Sequence, residues 1–170
     1  MTALLPVFVQ CPKCEIIFKT IDVGLLRQTG TDECGCQQFR GVNPMPFFIR
    51  ICPSCKFIDV TSSFQKTRVN DTKNIPREQK KSCEIFLELA RILENENRYK
   101  AAVLAYYNAG CCYRVERNTK FKASFQEAVR LLKIIQNCEG DIELQGIKVS
   151  LLIERLQNCS KQNFSEQNNK

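Results

Sequence analysis

No histidine occurs anywhere in this chain, and that absence removes more chemistry than most residues present could supply. Histidine acid–base relays, Cys–His nucleophilic pairs and mixed Cys/His metal sites cannot be built without an imidazole. A catalytic zinc of the deaminase or metalloprotease kind needs at least one histidine ligand. A phosphate-cradling glycine loop and a nucleophile elbow are also missing. No apolar run approaches the roughly 18 residues of a membrane span. The expectation is a non-enzymatic protein with no catalytic residues, no small-molecule substrate and no membrane partner.

Cysteine is abundant, with 11 residues, and four of them form two matched pairs. Cys11-Pro-Lys-Cys14 and Cys52-Pro-Ser-Cys55 each put two thiols on one tight turn. Four thiolates close the tetrahedral shell that a structural Zn²⁺ prefers, leaving no position open for water or substrate. One structural zinc on Cys11, Cys14, Cys52 and Cys55 is therefore expected. Cys34 and Cys36 form a Cys-x-Cys pair between the knuckles. They are read as loop thiols packed against the zinc module, with a redox-responsive pair or auxiliary metal thiols as the alternative.

Cys83, Cys111, Cys112, Cys138 and Cys159 fall in helical patterns, and the total is odd. Such cysteines are expected to be small buried apolar residues in a reducing compartment, which places the protein in the cytoplasm. A cleaved leader at the N-terminus would remove or cripple the first knuckle, so none is expected.

Residues 1–66 read as a zinc ribbon of short antiparallel strands. Val7-Phe8-Val9 enters the first knuckle and Ile16-Ile17-Phe18 leaves it, while Phe47-Phe48-Ile49 and Phe57-Ile58 repeat the arrangement at the second. So small a sheet buries little apolar surface, and the metal must supply much of its folding free energy. Residues 28–46 are expected to cross the ribbon as a loop. Residues 67–81 form a basic linker running into a helix near Pro76.

From Ser82 the apolar period becomes helical, and residues 82–159 read as an antiparallel α-helical bundle. Phe86, Leu89, Ala90, Leu93, Tyr99, Ala102, Tyr106 and Ala109 fall at tetratricopeptide offsets. A shift of 34 residues puts Lys120 and Ala123 where large residues belong, so one repeat-like hairpin with extra packing helices is expected. Phe121, Phe125, Ala128, Leu132 and Ile135 mark a third helix; Gly140-Asp141 marks a stop and a cap; Val149, Leu152, Ile153 and Leu156 mark a fourth. Residues 160–170, rich in Asn and Gln, are expected to be disordered. The fold class is α+β.

The net charge of +7 is unevenly spread. Residues 1–66 carry seven basic and five acidic side chains, which four thiolates and one Zn²⁺ would bring close to neutral. The linker and residues 82–138 each hold a net +3. Arg114, Arg117, Lys120 and Lys122 cluster at one helix junction and could meet a phosphate backbone, although a solvated face is the commoner meaning.

These motifs resemble a bacterial family, domain of unknown function 2225. The resemblance rests on Cys11-Pro-Lys-Cys14, Phe18, Asp32-Glu-Cys34, Asn43-Pro44, Cys52-Pro-Ser-Cys55, Phe64 and the Ala-Gly-x-x-Tyr-Arg stretch at 109–114. It implies a metal ribbon followed by tetratricopeptide-like helices, and it brings no established activity. The family usually has glycine after each knuckle, where Glu15 and Lys56 stand here. A left-handed backbone there would cost a non-glycine residue roughly 1–2 kcal/mol.

Three functions follow as expectations. The first is a zinc-stabilised adaptor or scaffold that binds another protein or peptide. The second is a nucleic-acid-binding or ribosome-associated zinc protein. The third is a thiol-based redox or zinc sensor.

Overall fold

The computed structural model describes residues 3–69, 74–78 and 82–162. The fold is α+β, with short antiparallel strands in the N-terminal part and four helices after them. It divides into two compact units, one of residues 1–29 and 39–85, the other of residues 30–38 and 86–170.

The first unit is built around two hairpins. Strand β1 (Ala3–Gln10) pairs antiparallel with β2 (Ile17–Leu25), and the first Cys pair forms the turn between them. Strand β3 (Gln28–Thr31) pairs with β4 (Gln37–Phe39). The second Cys pair turns β5 (Ile49–Ile51) into β6 (Ile58–Val60), and β7 (Gln65–Thr67) adds to the other edge of β1. Alternation along β1 and β2 turns Val9 and Phe18 to the same side, where they join Cys11, Cys52 and Phe64 in a small core. Phe64 meets Phe18 edge-on at 5.8 Å and Phe57 at 5.7 Å between ring centroids. The three rings supply most of the bulk of that core.

Three local expectations need correction in this unit. Phe47 and Phe48 do not extend the strand before the second knuckle; residues Met45–Phe48 form a 3-10 turn. Pro44 and Pro46 fix φ and lack N–H donors, and the Asn43 side-chain oxygen accepts the Met45 N–H at 3.1 Å. The chain near Pro76 is likewise extended rather than helical, because proline disfavours the helical region for the residue before it. Lys19 N–H donates to Pro76 O and Glu78 N–H to Lys19 O, each at 2.9 Å, which lays 76–78 parallel to β2. The third correction is that residues 28–46 are not one loop across the ribbon. Gly30–Gln38 groups with the helices.

The second unit contains most of α1 (Glu84–Asn95), then α2 (Tyr99–Val115), α3 (Phe121–Glu139) and α4 (Val149–Lys161). Of the eight tetratricopeptide-pattern positions, all but Tyr99 are buried, so the periodicity identified the inward faces correctly. Gly110 is the close-approach point between α2 and α3: a Cβ there would lie 2.2 Å from a Phe125 ring carbon. Gly140, with φ of 81°, ends α3. The Asp141 carboxylate accepts the Ser150 N–H at 2.8 Å and its hydroxyl at 2.9 Å, fastening the start of α4. Between them lies a two-residue hairpin, β8 (Glu143–Leu144) and β9 (Ile147–Lys148), which turns on Gln145 and Gly146, both at positive φ. Residues 163–170, most of the tail expected to be disordered, lie outside the described residues, as do linker residues 70–73 and 79–81; α4 itself runs to Lys161.

Candidate metal centre

Both knuckles have the same backbone construction. Cys11 N–H donates to Ile16 O at 3.0 Å, and Cys52 N–H to Phe57 O at 2.8 Å. Glu15 N–H returns to Cys11 O at 2.9 Å, and Lys56 N–H to Cys52 O at 3.1 Å. To close that turn the residue after each pair must adopt a left-handed conformation, and Glu15 (φ 60°) and Lys56 (φ 59°) both do. Both positions therefore carry the strain of a left-handed non-glycine residue.

The two turns bring four sulfurs together within 4.8 Å of one another. Cys11 Sγ lies 3.7 Å from Cys55 Sγ, and Cys14 Sγ lies 3.5 Å from Cys52 Sγ. Ligand sulfurs in a tetrahedron with metal–sulfur bonds of about 2.3 Å are about 3.8 Å apart, so the spacing fits a four-thiolate metal ion. The Lys13 N–H points at Cys11 Sγ from 3.4 Å, a donor that would favour thiolate there.

The thiols differ in acidity. Burial pushes the Cys52 thiol up to about 12 and raises Cys11 as well. A backbone hydrogen bond from Ile16 is the largest influence on Cys14, which is held down at about 7. A metal ion bound here must displace the protons of the two buried thiols, so its affinity would rise with pH. The centre is also unevenly exposed: Cys11 and Cys52 are buried, Cys55 is partly covered, and Cys14 faces solvent.

Cys34 and Cys36 lie elsewhere. In the helical unit Cys34 is joined to Cys159 and Cys36 to Cys111 by disulfides. This corrects two expectations. The pair is bonded to helices α4 and α2, and Cys83, Cys111, Cys112 and Cys159 are all disulfide-bonded rather than reduced core residues. The local cause is Asp32, whose Oδ1 accepts the N–H groups of both Cys34 and Cys36 at 2.9 Å, wrapping the segment into a tight turn. Cys138, also expected in the core, is an exposed free thiol.

Arg114 is not a surface cation. Its side chain is 4% exposed; Nε donates to Asp32 Oδ2 and Nη2 to Glu33 Oε1, both at 2.9 Å, and Nη1 to Gln162 Oε1 at 3.2 Å. Its guanidinium also lies 5.3 Å from the Phe121 ring centroid. A cation so thoroughly paired is withdrawn from any phosphate. Arg117 and Lys120 are exposed and Lys122 is half-buried, so three of the four expected contact residues stay near the surface.

Sequence reading missed this clamp, although both of its ends were quoted as motifs. Asp32 belongs to Asp-x-Cys and Arg114 to Ala-Gly-x-x-Tyr-Arg; 82 positions apart, nothing local links them. It also missed Glu78, whose carboxylate accepts the Ile51 N–H at 2.6 Å and the Thr20 hydroxyl.

Among the described residues no helix is long and apolar enough to cross a membrane. Neither a curated protein nor a solved structure matches the chain. The family model described as an uncharacterized protein conserved in bacteria, domain of unknown function 2225, matches residues 7–164, and the chain belongs to that family.

Proposed function

We propose that this chain is a non-catalytic, zinc-stabilised protein-interaction module. The observation that carries the reading is the closed set of four cysteine sulfurs, which would spend every coordination position on protein ligands. Zn²⁺ fits an all-thiolate tetrahedron with no histidine and needs no redox partner. The ribbon is then a head folded by its metal, and contacts are sought on the tetratricopeptide-like helices.

There, a cavity of about 380 Å³ opens between the start of α2 and the end of α3. Tyr99, Ala101 and Ile134 give it apolar walls, and Arg98 and Lys100 stand at its rim. Lys100 is paired with Glu139, which lines the same cavity, at 2.6 Å, and Arg98 with Glu96 at 3.3 Å, so the rim is charge-balanced and the apolar walls are what a peptide side chain would meet. Elemental analysis should find one zinc per chain. A crosslinked pull-down should recover a specific protein that Ile134→Asp with Lys100→Glu loses; no partner under several conditions, or equal recovery by the variant, defeats the interaction reading.

Six of the 11 cysteines are disulfide-bonded, which favours a second reading, a thiol-based redox protein. Disulfides in a chain that also keeps five free cysteines fit an oxidising compartment or a redox-responsive chain better than an ordinary cytoplasmic one. Protein isolated without reductant should then show fewer alkylatable thiols than the same protein after reduction, and equal counts defeat the idea. The nucleic-acid reading is weakened by the pairing of Arg114. It needs salt-sensitive binding that falls on charge reversal at Arg117 and Lys120.

A further inference from the structure

We propose that the Glu78 carboxylate is a latch that couples metal loading of the four-cysteine site to docking of segment 76–78 on the ribbon. The inference rests on reading the cluster as a metal site, and it adds a consequence of losing the metal. The two knuckle hairpins belong to different sheets: β2 lies in the sheet β2-β1-β7, whereas β5 pairs with β6 alone. No ladder of backbone hydrogen bonds joins them. The thiol cluster takes two sulfurs from each hairpin, and the small aromatic core packs beside it.

Glu78 bridges the two hairpins as well, beside the Arg50–Asp22 ion pair. One oxygen accepts the N–H of Ile51, the residue immediately before Cys52, and the other accepts the hydroxyl of Thr20 on β2. A single carboxylate can satisfy both donors only while the hairpins hold a fixed separation. Arg50 deepens the dependence. Its side chain is fully buried, with Nη1 donating to Thr61 O at 3.1 Å and Nη2 3.5 Å from Asp22. The negative charges of Asp22 and Glu78 both act to keep that guanidinium charged against the cost of burial. Removing Glu78 from its seat strips a buried cation of compensation, which is expensive.

Segment 76–78 also makes two backbone hydrogen bonds with Lys19 of β2. When metal leaves, the hairpins lose their chelate, Ile51 N–H and Thr20 Oγ1 drift out of register, and the segment carrying Arg77 is freed. Linkage makes the effect reciprocal: breaking the latch weakens metal binding by the same factor that metal strengthens the latch.

The test uses the full chain with Zn²⁺, Co²⁺ as a spectroscopic probe, and the variants Glu78→Gln and Thr20→Val. Glu78→Gln should bind one metal per chain with an unchanged four-thiolate cobalt spectrum. Its zinc affinity in competition with a chelator should fall roughly tenfold, the factor expected for losing a hydrogen bond to a charged group. Amide exchange over 74–78 should quicken in the zinc-loaded variant, and Thr20→Val should show the same changes more weakly. Zinc affinity within twofold of the parent overturns the latch, because a residue that stabilised loaded and metal-free chains alike would leave affinity untouched. Equal protection of 74–78 before and after chelation overturns it too. A parent that takes up no metal instead defeats the metal reading on which the latch depends.

Discussion

Glu15 and Lys56 show how a single residue can work against its own site. Each sits at positive φ, where a non-glycine side chain costs roughly 1–2 kcal/mol, while glycine would add only about 0.4–1 kcal/mol of unfolded-state entropy. The first effect is larger. Glu15→Gly and Lys56→Gly should therefore each raise the stability of the metal-loaded protein by about 0.5–1 kcal/mol, read from denaturant unfolding. Arg114 is the opposite case, a charge whose removal is costly. Arg114→Met would leave Asp32, itself only 12% exposed, without its cation, a loss of about 3 kcal/mol or more. In a double-mutant cycle, Asp32→Asn should recover part of that loss; strict additivity of the two changes would show that the pair is not coupled. The knuckle cysteines were legible because spacing alone encodes a chelating turn. The Arg114 clamp was not, because a buried arginine and a solvated one look the same in a list of charges.

Among the elements, the 30–38 segment is fastened more heavily than its length suggests. Two disulfides tie it to α4 and α2, and the Tyr107 hydroxyl donates to Cys34 O at 3.2 Å. The crosslinks close loops of 125 and 75 residues, long enough for each to restrict the unfolded chain substantially. Reduction should lower the stability of the helical unit by about 2–4 kcal/mol per bond, with zinc content unchanged; unfolding curves that overlay with and without reductant would show that the crosslinks do not form. Helix α4 carries a weaker fastening at its start. Hydrogen bonds from the Ser150 backbone and hydroxyl hold the Asp141 carboxyl below its ordinary value. A depressed carboxyl stabilises the fold above its unfolded pKa, and that contribution disappears as pH falls through the folded one. Asp141→Asn should therefore lower Tm at neutral pH, and the gap from the parent should close in strong acid. A gap independent of pH would show that the charge is not involved.

For the whole molecule, two units with separate cores have different dependences. The first relies on a small aromatic cluster and four thiols, whereas the second packs α3 against α2 and α4, with Phe121, Phe125, Leu131, Leu132 and Leu156 buried. Chelation should collapse the strand unit while most of the helical circular-dichroism signal persists; loss of both together would mean that the helices cannot stand without the metal.

The sequence by itself determined the α+β order of elements, the two knuckles, the inward faces of the helices and the family. Each is written in local spacing, as pairs three apart or apolar positions three and four apart. Only the tertiary structure decided where Cys34 and Cys36 go, that Arg114 is consumed by Asp32 and that Glu78 clasps both hairpins. Those contacts join residues between 27 and 125 positions apart, and no local period records them. They depend on where separate elements come to rest, which packing fixes and spacing does not.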